Sequence, residues 1–231
     1  MVDFDFSSVD ALIFDMDGTL VDNMGFHRQA WLEWAPREGL ELSPGELLAQ
    51  THGTIEEIVA RLFPDKSEEE QRQLGERKEA LYRELYGPHL ELLPGLDELL
   101  LWTKENRLPV ALATAGNTRN IDFTIDGLGI RSFFSAFVGG DDVTHGKPHP
   151  EVFLIAAQRL GVAPEECLVF EDSPAGVEAA RRAGMRCIAL NLMNPRSEFG
   201  DTSHVVRWAN DYRDLRLSSS DPRSNIESPV F

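Results

Sequence analysis

The chain has 231 residues, with 22 Lys and Arg against 39 Asp and Glu, a formal net charge of −17. That balance argues against nucleic acid or an anionic membrane surface as a partner. Any anionic ligand must be drawn in by a local positive feature, a metal or a few lysines, against the global field. The length suits one sizeable core plus a smaller second domain. No repeat, low-complexity block or membrane-length apolar run interrupts the chain. Cys167 and Cys187 lie in apolar segments without metal-finger or C-x-x-C spacing, so they read as buried, reduced thiols. Residues 1–10 carry acids where a secretory signal needs bases. A soluble, cytoplasmic protein is expected, a monomer or weak homodimer.

In chain order, residues 11–14 are Ala, Leu, Ile and Phe, a run that reads as a strand covered on both faces, as in a parallel sheet. Asp15 ends the run, Asp17 follows, and Gly18 permits a sharp turn and a close backbone approach. Two carboxylates at the C-terminal end of a central parallel strand sit where open α/β sheets bind ligands. Buried together, they call for a counter-charge, and a divalent cation is the simplest one. The same D-x-D-G composition also suits a solvated turn. The preceding apolar run and the partners further along favour the ligand site.

From Asn23 the pattern turns helical. Phe26, Ala30, Trp31, Leu32 and Trp34 line a mostly apolar helical face that ends before Gly39. Ser43, Thr54 and Ser67 then open three further helices, in S-P-G-E, T-I-E-E and S-E-E-E. Residues 24–88 offer no strand, so they read as a helical cap inserted straight after the first strand. Leu93-Pro94-Gly95 restarts an alternating α/β pattern. Its strands fall at 109–114, 136–138, 167–170 and 186–190, with helices at 96–102, 118–128, 150–160 and 175–183. Val205-Val206 is a candidate edge strand, residues 212–215 a last short helix, and from Ser218 the tail reads as loose. The expected fold is α/β: a Rossmann-like parallel sheet core with helices on both faces (residues 1–22 and 91–231) and an inserted α-helical cap (residues 23–90).

Four features fall at or after strand ends: Asp15 and Asp17, Thr114, Lys147 in G-K-P-H-P, and Glu171-Asp172. Singly, each has an ordinary reading. Thr114 is a candidate N-cap, Lys147 a surface lysine, and Glu171-Asp172 a favourable pair at a helix N-terminus. Together they make a kit for a phosphoryl group and Mg²⁺: oxygen ligands for a hard ion, a donor for phosphate oxygens and a fixed positive charge.

At this point the chain closely resembles the haloacid dehalogenase-like hydrolase superfamily, in the branch with a helical cap. The resemblance rests on F-D-M-D-G-T-L-V-D at 14–22, A-T-A-G-N at 113–117, G-K-P-x-P at 146–150 and F-E-D-S-x-A-G-V-x-A-A at 170–180. Within the superfamily it is most similar to the sugar-phosphate phosphatase and β-phosphoglucomutase group. The resemblance implies that Asp15 attacks phosphorus and forms an aspartyl phosphate. It implies that the Asp15 carboxylate, the Asp17 carbonyl and Asp172 bind Mg²⁺, with Glu171 a direct or water-mediated ligand. Asp17 would be the acid/base. Thr114, Ala115, Gly116 and Asn117 would hold the phosphate, and Lys147 would offset its charge and that of Asp15. Dehalogenase members lack an acid at the position of Asp17, so phosphate-ester chemistry is expected.

In the cap, Asn23, His27, His52, Gly53 and Lys78 are the candidate substrate contacts. His27 has the alternative of a satisfied helix histidine, and Lys78, in E-R-K-E, of an i, i+4 partner on a solvated face. The T-H-G-T loop at 51–54 joins two helices, which leaves its amides open to an anion. One departure from the mutase pattern stands out. The basic residue three positions after the loop glycine, which binds the phosphate that is not transferred, is replaced by Glu56. With Asn23 in place of the usual hinge hydroxyl, this favours a phosphatase acting on a monophosphate over a mutase. A non-catalytic protein on this scaffold is the third reading, and the presence of Asp15, Asp17 and Lys147 together speaks against it.

Overall fold

The computed structural model describes residues 6–191 and 194–215. The tail after Ser218 therefore lies outside the described residues. Strand β1 (Ala11–Phe14) is followed by α1 (Met24–Arg37), α2 (Pro44–Leu48), α3 (Ile55–Leu62) and α4 (Glu68–Tyr86). Then come α5 (Leu96–Glu105), β2 (Val110–Ala113), α6 (Thr118–Gly127), β3 (Ala136–Val138) and α7 (Glu151–Leu160). The chain continues with β4 (Cys167–Glu171), α8 (Pro174–Arg182), β5 (Arg186–Leu190) and β6 (Val205–Ala209). The six strands form one parallel sheet in the order β3-β2-β1-β4-β5-β6. Strand order reverses beside β1, so the ends of β1 and β4 open a crevice at the switch point of the sheet.

All four residues of β1 are buried, as their unbroken apolar run requires. Leu12 and Phe14 face the same way as Leu112 and Phe170, packing with Leu96, Leu100 and Tyr212. The Phe14 and Phe170 rings stack 4.5 Å apart. On the opposite face the small side chains of Ala11, Ala111 and Ala113 let α7 and α8 come close, through Phe153 and Val177. The edge strand β6 is longer than its Val205-Val206 signal, running to Ala209. The expected last helix is a single 3₁₀ turn, Tyr212–Asp214. Its Tyr212 hydroxyl donates to the Thr19 carbonyl at 3.0 Å and so braces the turn after β1.

The four helices α1–α4 have an apolar cluster of their own, built on Trp31, Trp34, Leu47, Ile58, Val59 and Leu74. Ser43, Thr54 and Ser67 cap α2, α3 and α4 with complete capping boxes, each worth about 1 kcal/mol. Ala30, Tyr82 and Tyr86 belong instead to the cluster that continues into the sheet, so the bases of α1 and α4 are anchored there. The two connections to this helical insertion are tied together, the Leu93 amide donating to the Leu20 carbonyl at 2.8 Å. Among the described residues, no helix is long and apolar enough to cross a membrane.

Candidate active site

Asp15 leaves β1 at the switch point and is only 6% exposed. Lys147 reaches it from the loop before α7. Its Nζ donates to Asp15 Oδ1 at 2.6 Å, Glu171 Oε1 at 2.7 Å and the Ala113 carbonyl at 3.2 Å. Those three bonds use every proton of the ammonium. The other Glu171 oxygen accepts from the Ser173 amide at 2.8 Å and its hydroxyl at 3.0 Å, which fixes the start of α8. Asp172 is 3% exposed, and its carboxylate has no hydrogen-bond or ion-pair partner among the described residues. Gly18, at φ +77°, lies against it: a Cβ there would stand 2.2 Å from Asp172 Oδ2. The turn after β1 therefore needs glycine both for its left-handed backbone and for this contact.

The charges do not balance with protein groups alone. Burial pushes the Asp15 carboxyl up, Lys147 pulls it back, and Glu171 and Asp17 push it further, leaving it raised to about 7. Asp172 is pushed well above the usual carboxylate range by burial and by Glu171 and Asp15. Burial works against the Lys147 ammonium, yet Asp15 and Glu171 outweigh it and hold the proton more tightly than usual. An oxygen-only set with surplus buried negative charge suits a hard divalent cation. Among the described residues, no three His, Cys, Asp or Glu side chains cluster as a metal site. That is compatible with a set of two carboxylates, Asp15 and Asp172, completed by a backbone carbonyl.

Asp17 has a different neighbourhood. Asn23 Nδ2 donates to its Oδ1 at 2.6 Å, and Asn23 Oδ1 accepts from the Gly18 amide at 3.1 Å. Asn23 occupies the N-cap position of α1, but its side chain makes no cap bond. Lys78 Nζ bonds His27 Nδ1 at 2.9 Å and Glu79 Oε1 at 2.8 Å, 4.5 Å from the centre of the Trp31 ring. Lys78 donating to Nδ1 leaves the proton of a neutral His27 on Nε2, which faces Asp17 Oδ1 at 3.6 Å. His27 also stacks on Tyr82, with centroids 3.6 Å apart. Burial pushes Asp17 up, but His27, Asn23 and Lys78 outweigh it and hold the carboxyl below its ordinary range.

A cavity of about 530 Å³ opens over these groups, between the strand ends and the helical insertion. It is lined by Asp15, Asp17, Thr114, Ala115, Gly116, Asn117, Lys147, Glu171 and Asp172 from the sheet side. From the helical side come His27, His52, Gly53 and Lys78. Asn23 is fully buried behind Asp17 and does not line it. Thr114 is not the helix cap: Asn117 is, its Oδ1 accepting the Asn120 amide at 3.0 Å, while Thr114 Oγ1 accepts from the Gly116 amide at 3.0 Å. Lys78 is 1% exposed, not on a solvated face. The 51–54 loop is less open than expected. The Thr54 amide is held by Glu57 at 2.8 Å and the Thr51 amide by the Leu48 carbonyl, which leaves His52 and Gly53.

The motifs do not reveal Glu57, Glu79 or Asn120. Glu57 completes the Thr54 capping box with Oε2 and accepts the Gly146 amide with Oε1 at 3.2 Å, crossing from the insertion to the Lys147 loop. A Cβ on Gly146 would stand 2.6 Å from that carboxylate. Asn120 on α6 donates to Glu79 at 2.6 Å and accepts from Arg83 at 2.6 Å. T-I-E-E gave the local role of Glu57 but nothing about its second partner.

The family model for haloacid dehalogenase-like hydrolases matches residues 9–184. The chain belongs to that family. It is 34% identical over 183 residues to fructose-1-phosphate phosphatase YqaB of Escherichia coli (strain K12), covering 79% of this chain and 96% of the relative. It is also 34% identical over 198 residues to the chloroplastic 5-amino-6-(5-phospho-D-ribitylamino)uracil phosphatase of Arabidopsis thaliana. That match covers 84% of this chain and spans 53% of the plant protein's length. A solved β-phosphoglucomutase from Clostridium difficile superposes with a TM-score of 0.78 at 25% identity, over 94% of this chain and 97% of the other. A phosphoric monoester hydrolase, the enzyme class that the motifs imply, is the class named for both curated relatives.

Proposed function

We propose that this hydrolase is a Mg²⁺-dependent phosphatase of a small phosphorylated metabolite, a sugar phosphate or a related compound, acting through an aspartyl phosphate on Asp15. The observation that carries the proposal is the contact of Lys147 with both Asp15 and Glu171 at the sheet's switch point. Without that cation, an anionic nucleophile and an anionic substrate would repel. Asp15, Asp172 and the Asp17 carbonyl, with Glu171 nearby, would hold a Mg²⁺, which would supply further positive charge for the phosphoryl oxygens.

Asp15 attacks phosphorus as the bond to the leaving oxygen breaks. Thr114 and the Ala115 amide hold phosphoryl oxygens, while Lys147 balances the charge. Asp17 protonates the leaving oxygen, then takes a proton from the water that attacks the phosphorus and frees Asp15. A resting Asp17 with a depressed pKa is ionised, so it takes up a proton from solvent as the substrate binds, because a phosphate dianion nearby raises its proton affinity. His27, Asn23 and Lys78 hold this acid in place. Residues 23–90 act as the cap that selects substrate and closes over it.

The names of the two curated relatives support a phosphorylated sugar or polyol-like substrate, and Glu56 disfavours the second phosphate that a mutase intermediate would carry. The test is phosphate release from a panel of phosphorylated metabolites with Mg²⁺, with EDTA and with Asp15→Asn. Release that is stopped by EDTA, restored by Mg²⁺ and lost in the variant is the expected result. Metal-independent turnover, or a fully active variant, would refute the scheme. Glucose 6-phosphate accumulating from β-glucose 1-phosphate and a trace of its bisphosphate would favour the mutase.

A further inference from the structure

A second chamber, about 670 Å³, adjoins the catalytic cavity, and no step of the proposed phosphoryl transfer uses it. It shares two walls with the catalytic cavity, Ile55 at the start of α3 and Asn117 at the start of α6. Each chamber alone falls within the ~300–1,000 Å³ that a small-molecule site occupies. A phosphoryl group and one sugar need only the first. The second adjoins it at Ile55 and Asn117 and is where the far end of a longer leaving group would go.

Its lining says what that end is. Ile55, Ala60 and Gly75 give it an apolar wall with no projecting side chain at Gly75. The charged residues around it are Glu56, Glu68, Glu76 and Asp141 against Arg72 and Arg119. Both arginines are already engaged, Arg72 with Glu76 at 2.8 Å and Arg119 with Glu76 at 3.5 Å. Asp141 is taken by the Thr118 amide and hydroxyl, both at 2.7 Å. An anionic end group would meet surplus negative charge and no uncommitted cation among the described residues that line the chamber. Two polar groups are available beside the shared residues, one next to Ile55 in sequence and one on Asn117 itself. The Glu56 carboxylate, an acceptor, has no ion-pair partner among the described residues. Asn117 spends its Oδ1 on the helix cap, which leaves its Nδ2 donor.

We propose that this chamber binds a flat, uncharged ring bearing both N–H and C=O groups at the distal end of the substrate. The ring lies on the Ile55–Ala60–Gly75 wall, donates to Glu56 and accepts from Asn117. The substrate class is then a phosphomonoester of nucleoside type rather than a simple sugar phosphate. This inference rests on the phosphatase reading above.

Three probes share a ribose 5-phosphate unit: ribose 5-phosphate, uridine 5′-monophosphate, which adds a neutral ring, and orotidine 5′-monophosphate, which adds a carboxylate to that ring. Phosphate release with Mg²⁺ gives kcat/KM for each. The uridine compound is expected to exceed ribose 5-phosphate at least tenfold and to exceed the orotidine compound by a similar factor. Ala60→Trp, which fills the chamber from the α3 surface, should bring the uridine-to-ribose ratio close to one. Glu56→Lys should reverse the preference between the uridine and orotidine compounds, and it requires no repacking of the apolar wall. Release from all three with equal kcat/KM, or ratios that neither variant moves, overturns this inference and leaves the phosphatase standing. No release from any of the three overturns the phosphatase reading and this inference with it.

Discussion

The floor of the catalytic cavity and the wall that the helical insertion presents to it treat two carboxylates, two residues apart in sequence, in opposite ways. On the floor, Asp15 shares Lys147 with Glu171 and faces an unpaired Asp172, and its pKa rises to about 7. Toward the insertion, Asp17 is held by Asn23, with His27 and Lys78 behind it, and its pKa falls. In the metal-free protein these shifts run opposite to the proposed roles, so a bound cation has to keep Asp15 ionised and a bound phosphate has to raise the proton affinity of Asp17. The floor keeps a surplus of negative charge that a divalent cation would relieve. The insertion supplies its own cation, Lys78, already neutralised by Glu79. The proposed nucleophile and the proposed acid/base thus face different layers of the molecule.

The largest expected effect tests the floor. Asp15→Asn should lower kcat by at least about 10⁴-fold, the scale seen when a nucleophile is removed. The loss should be the same for an alkyl phosphate and for p-nitrophenyl phosphate, because neither substrate bypasses the attack. Asp17→Asn tests the wall. It should cost about 10²- to 10⁴-fold with an alkyl phosphate, whose leaving oxygen needs a proton, and clearly less with p-nitrophenyl phosphate, whose leaving group does not. Equal losses with both substrates in Asp17→Asn would break the division of labour.

The same contrast has a stability signature. A carboxyl whose pKa is raised on folding keeps its proton longer in the native state, so its contribution is fully present below the unfolded value near 3.8. That contribution is lost as pH rises through the folded value of about 7. In metal-free protein at pH 8, Asp15→Asn should therefore be more stable than the parent. The gain is at most about 4 kcal/mol at 1.4 kcal/mol per unit, and the gap should close by pH 4. Thermal melts with EDTA measure this, and added Mg²⁺ should stabilise the parent more than the variant. A variant less stable than its parent at pH 8 would contradict the surplus charge.

The smallest effect concerns how the two layers meet. Glu57 joins the helical insertion to the Lys147 loop by one hydrogen bond to Gly146. Gly146→Ala sets a Cβ against that carboxylate without touching a reacting group. A bond of this type is worth about 1.5 kcal/mol, so kcat/KM should fall about tenfold, and Glu57→Ala should match it. Unchanged kinetics in both variants would remove this contact from the account.

What was legible in the sequence follows from distance along the chain. The buried β1 run and the capping boxes at Ser43, Thr54 and Ser67 are local patterns, and the structure contains them. Most of the motif residues that meet over the cavity were legible because they sit at or just after a strand end, and parallel sheets gather such ends; Lys147 reaches the same place from a longer loop after β3. Contacts between distant segments were not legible. Nothing in E-R-K-E separates a solvated lysine from one enclosed by Trp31, His27 and Glu79. Nothing in T-I-E-E announces a bond from Glu57 to Gly146, 89 residues on. Asn23 was a candidate substrate contact at the position of the usual hinge hydroxyl, yet tertiary packing turned its side chain inward, onto Asp17 and the Gly18 amide.

The central claim is that Asp15 carries the phosphoryl group. The direct measurement mixes enzyme, Mg²⁺ and a phosphate ester that the enzyme turns over, quenches with acid within one turnover, and treats the protein with borohydride before peptide mapping. An acyl phosphate is reduced to the alcohol, so the account predicts homoserine in place of aspartate at position 15 and nowhere else. Phosphate release with position 15 unmodified, or with the modification at Asp17 or Asp172, would contradict it.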